Sequence, residues 1–101
     1  MHRARPSGPE NLPILGTVVD SNPYNFLPTV TGVVKGGPGE RAGLRVGYLI
    51  TVVNHSEVHS VRELVEKLAA LPADASSVTL GFNFPSNLGY MPKEAEVRLK
   101  P

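Results

Sequence analysis

Two groups of residues have types and spacings that chemistry uses. Gly37-Pro38-Gly39-Glu40-Arg41-Ala42 satisfies G-x-G-x-x-A, the turn that holds a dinucleotide pyrophosphate at a helix N-terminus. That use requires a long helix crossing between parallel strands, a connection of about a dozen residues. Here Gly43 and Gly47 interrupt the helix after about one turn, and an apolar run resumes at Tyr48. No Gly-Lys-Ser/Thr follows, so a phosphate loop fails as well. His55 and His59 stand at the spacing of a zinc pair on a helix. The segment His55-Ser56-Glu57-Val58-His59 instead reads as a turn into a short strand, with no third ligand nearby in sequence. A Ser-His-Asp triad lacks its G-x-S-x-G elbow, and Asp20 and Asp74 show no partner arrangement. The expectation is a chain that is not an enzyme and needs no metal or other cofactor.

The 101 residues suit one compact domain. Hydrophobic residues make up 41%, charged residues 19%, and the net charge is +1. Arg3 and Arg5 are the only basic cluster, which argues against nucleic acid as a partner. No apolar stretch approaches the ~20 residues of a membrane span, which argues against insertion. Cysteine is absent, so disulfides and thiolate chemistry are excluded. The N-terminus MHRARPSGPE lacks the apolar centre of a signal peptide. Residues 1–11 read as a flexible tail, residues 12–101 as the domain, and the location as cytoplasmic.

The elements that would position a site follow from the hydrophobic pattern. Strands are predicted at 14–20, 29–35, 48–53, 77–84 and 95–100. The proline-bearing segment 85–93 reads as a loop. One clear helix is predicted at 61–71. Val61, Leu64, Val65 and Leu68 recur on one face, Ser60 and Glu63 form a capping box, and Pro72 ends the run. Between the second and third strands, Pro38 suits a helix start and Gly43 a left-handed cap, giving a single helical turn.

Residues 36–55, GGPGERAGLRVGYLITVVNH, resemble the PDZ family hallmark G-S-P-A-x-x-A-G-L-x-x-G-D-x-I-x-x-V-N-G. The capped helix follows at the family's distance, and the likeness extends over 14–100. It departs at Gly39, Tyr48 and His55, where the family pattern carries Ala, Asp and Gly. The resemblance implies an α+β fold: a five- to six-stranded, partly open antiparallel barrel or sheet capped by one long and one short helix. Little chain precedes residue 14 and a strand follows at 95–100. That order is similar to the permuted PDZ domains of HtrA-type proteases, in which the last strand fills the place of the missing first one.

The resemblance also implies a site. PDZ domains bind C-terminal peptides of partner proteins by strand addition beside the long helix. The terminal carboxylate is held by backbone N–H groups of a Φ-G-Φ turn. Leu15-Gly16-Thr17 and Leu88-Gly89-Tyr90 both fit that form. The first is preferred, because it leads into the groove strand and the second runs into Pro92. The implied groove is Val18 and Val19 on the strand, facing Val61, Val65 and Leu68 on the helix, with Leu64 and Leu71 turned to the core. Thr17 is expected to weaken the floor of the end pocket. Tyr24 and Phe26 either extend the site or cover the end of the sheet. Val61 stands where many family members carry a histidine that bonds a Ser or Thr two residues before the peptide terminus. An apolar residue there is therefore expected in the ligand, as at its terminus. The expected function is a monomeric peptide-binding module. A regulatory or substrate-recruiting domain of a larger protease, and a degenerate PDZ-like fold used for self-association, are the alternatives.

Overall fold

The structure, a computed structural model, describes residues 8–99; most of the expected tail, residues 1–7, lies outside them. Two helices pack against one antiparallel sheet of seven strands. The strands are β1 (Glu10–Leu12), β2 (Thr17–Ser21), β3 (Pro28–Val33), β4 (Leu49–Val53), β5 (Ser56–Glu57), β6 (Ser77–Ser86) and β7 (Gly89–Arg98). The helices are α1 (Pro38–Arg41) and α2 (Val61–Ala69). The sheet order is β1-β2-β3-β4-β6-β7, with β5 paired to β4. The expected α+β PDZ-like architecture is what the chain adopts.

Its helices form where local signals place them. Ser60 Oγ accepts the Glu63 N–H at 3.1 Å. The reciprocal bond of the box shifts by one residue, because the Glu63 carboxylate accepts the His59 N–H at 2.8 Å instead. That bond comes first, and the contact with the His59 ring second, in holding the Glu63 carboxyl below its ordinary range. Pro38 opens α1, and Gly43 follows it at φ +98.

Two departures from the family pattern find local partners. The Tyr48 ring stacks on Phe82 with centroids 5.5 Å apart. Asn54 (φ 48) and His55 (φ 70) make the tight β4–β5 turn, a left-handed pair of the kind that Asn-Gly usually supplies.

Three sheet features differ from expectation. Glu10 and Asn11, read as tail, belong to a strand. The 14–20 strand begins only at Thr17, because residues 13–16 form a turn. The segment read as a loop at 85–93 is instead the outer half of a ten-residue hairpin, with Ser86 opposite Gly89 and Ser77 opposite Arg98. Pro92 is tolerated because β7 lies at the sheet edge, where a missing N–H breaks no second ladder. The final strand therefore pairs beside β6, one of the two neighbours expected for it.

The core joins both helices to the sheet. Leu15, Leu44, Ile50, Leu64, Leu80 and Phe82 are fully buried within one cluster. No helix among the described residues is long and apolar enough to cross a membrane.

Candidate functional site

The elements expected to bound a groove are β2, the turn before it, and α2. Along β2 the burial alternates: Thr17 and Val19 point into the core, and Val18 is half-buried on the opposite face. Leu64 is fully buried and Leu68 is 6% exposed. Val61 and Val65 form the half-buried shoulder of α2 at the margin of the core, with Leu71 packed there too. The helical angle explains the split: at about 100° per residue, Val61 and Val65 lie about 40° apart.

Gly16 adopts φ +64, a geometry that costs glycine little and a β-branched residue much. A Cβ there would meet Pro38 Cδ at 3.1 Å. A side chain at this position would thus crowd the start of α1. Thr17 also faces inward: it is fully buried, and its Oγ1 has no hydrogen-bond partner. Its Cγ2 lies against α1, where a Cβ on Gly39 would come within 2.7 Å of it.

Both upstream N–H groups of the Leu15-Gly16-Thr17 turn are already engaged. Leu15 N–H donates to the Leu12 carbonyl and Gly16 N–H to the Pro13 carbonyl, each at 3.1 Å. The carbonyls are engaged as well: Gly39 N–H donates to Leu15 O at 2.6 Å, and Val34 N–H to Gly16 O at 2.8 Å. The turn is thus stitched both to β1 and to the loop around α1.

A comparison with families of known proteins matches residues 29–80 to the PDZ domain. The chain belongs to the PDZ family. The match runs from β3 through α2 into β6. Residues 15–19 lie outside it. No curated protein matches the chain. PDZ domains are interaction modules, and this one presents its α2 shoulder beside a shallow depression of about 430 Å³. Glu10, Leu12, Ile14, Val65, Leu68 and Ala69 are among its lining residues.

In this PDZ domain β1 is the element that sequence reasoning missed. It pairs antiparallel with β2: Glu10 lies opposite Val19, Asn11 opposite Val18 and Leu12 opposite Thr17. Three residues with a single apolar side chain carry no period-two signal, and the flanking prolines disguise them further. Leu88-Gly89-Tyr90, the second turn candidate, falls at the exposed tip of the β6–β7 hairpin. Tyr24 and Phe26 are 91% and 65% exposed, so neither covers the sheet end. His59 contacts Glu63 at 3.0 Å and Glu57 at 3.5 Å on the surface. His55 stays in its turn, and no metal-sized cluster of three ligands forms among the described residues.

Proposed function

We propose that this PDZ domain binds C-terminal peptides with apolar ends, adding them as a strand along β2 beside α2. The observation that carries this reading is the apolar shoulder of Val61 and Val65. It stays half-buried beside the depression that Leu68 also lines, on the helix that packs against β2. An extended peptide gains main-chain bonds from a strand edge and selectivity from alternate side-chain pockets. Its carboxylate would take the Leu15 and Gly16 N–H groups of the turn in place of the Leu12 and Pro13 carbonyls that accept them here. The domain acts as a monomer, whether alone or as the recruiting part of a larger protein.

Free-acid and amidated forms of one peptide ending Val-Ala-Val test the carboxylate. Amidation removes the anion and is expected to weaken binding at least tenfold, ~1.4 kcal/mol. Equal binding by fluorescence polarisation would refute recognition of the terminus. This comparison is cleaner than any substitution at Gly16, where an added side chain disturbs α1.

Selectivity rests on Val61. A peptide hydroxyl beside it would lose its water partner and find none, at roughly 1–3 kcal/mol. Peptides with Val, Ile or Leu two residues before the end are therefore expected to outrank those with Ser or Thr. Val61→His should shift that preference toward Ser or Thr by roughly tenfold. A peptide array read with both proteins checks it, and a wild-type preference for Ser or Thr would place the helix register in error.

A further inference from the structure

We infer that β1 is a built-in occupant of the peptide site and must leave β2 before a peptide can bind. The inference rests on the peptide-binding reading above and adds its regulation.

A strand has two edges, and each accepts one neighbour about 4.8 Å away. Over residues 17–19, β2 is paired with β3 on one edge and with β1 on the other. The edge that strand addition needs is therefore taken. The same segment engages the turn. Leu12 O and Pro13 O accept the Leu15 and Gly16 N–H groups that a carboxylate would claim. Leu12 completes the overlap. It is only 5% exposed, belongs to the core cluster, and lines the depression together with Val65 and Leu68. An apolar side chain of the chain itself thus sits where the terminal side chain of a ligand would go. Main-chain edge, anion donors and apolar contact are all met by residues 10–13.

The hold is light enough to release. β1 has three residues, and Glu10 and Asn11 are exposed. One buried side chain and a short ladder put the segment at the low-stability end of the domain. The 13–16 turn, with Gly16 at φ +64, is the hinge about which β1 would swing. Apparent affinity then falls by the fraction of molecules whose edge is free. Anything that holds the upstream chain away from β2 would raise it.

The absence of cysteine makes a lock straightforward to test. Asn11 and Val18 are direct cross-strand partners, at a separation that a disulfide spans. The double variant Asn11→Cys, Val18→Cys is titrated with the Val-Ala-Val free-acid peptide, oxidised and then reduced. Reduction is expected to raise affinity at least tenfold. In the unlocked wild-type chain, saturating peptide should strip hydrogen-exchange protection from the Glu10–Leu12 amides while β4 keeps its own. A chain that starts at Pro13 should bind at least tenfold tighter than the whole chain if it folds; the exchange measurement does not depend on that variant. Equal binding by oxidised and reduced forms, with β1 still protected, would overturn the gate and make β1 a permanent strand. The peptide reading would survive that result. If neither the reduced variant nor the wild type binds free-acid peptides at all, the peptide reading falls and takes the gate with it.

Discussion

A chain ending at Pro92 is expected to lose its cooperative fold or to melt at least 15 °C lower, by roughly 3 kcal/mol or more. Deleting residues 93–101 removes the half of β7 that pairs with Ser77 to Phe82. Val97 is fully buried and packs in the core cluster, and Leu99 is half-buried against it. Burying a valine or leucine side chain is worth ~1.5–3 kcal/mol. The truncation would also expose the edge of β6, whose Val78, Leu80 and Phe82 belong to the core. A bare apolar edge invites pairing between chains, so aggregation should accompany the loss. Thermal melts followed by circular dichroism decide it. An unchanged melting temperature would mean that the β6–β7 ladder contributes little.

Gly39→Val is expected to destabilise the domain by about 3 kcal/mol or more, at the upper end of overpacking effects. Gly39 is buried in α1. A Cβ added there would come within 2.7 Å of both Leu15 O and Thr17 Cγ2, and within 3.3 Å of Leu44 Cδ1. One of these neighbours is backbone and accepts the Gly39 N–H itself, so it cannot swing away as a side-chain end would. Gly39→Ala should cost less but act in the same direction. Denaturant unfolding measures both, and a neutral Gly39→Ala would show that α1 can shift outward. The effect would reach the proposed peptide site, since Leu15 and Thr17, two of the crowded residues, flank Gly16 where the chain enters β2.

Features with a local cause were legible in the sequence. The Ser60 cap and the spacing of Leu64 and Leu68 place α2, since capping and helical periodicity act within a turn or two. Pro38 and Gly43 bracket α1 for equally local reasons. The length of β7 was not legible: Met91, Pro92 and Lys93 have no strand pattern and are extended because β6 supplies their partners. The orientation of Thr17 was not either, because a polar side chain gives no sign that α1 will close over it. The same holds at the site. The glycine of the turn and the apolar residues of α2 are written in the chain. Only the tertiary structure decides that the edge of β2 is already paired, because Glu10, Asn11 and Leu12 become a strand solely through the hydrogen bonds that β2 offers them.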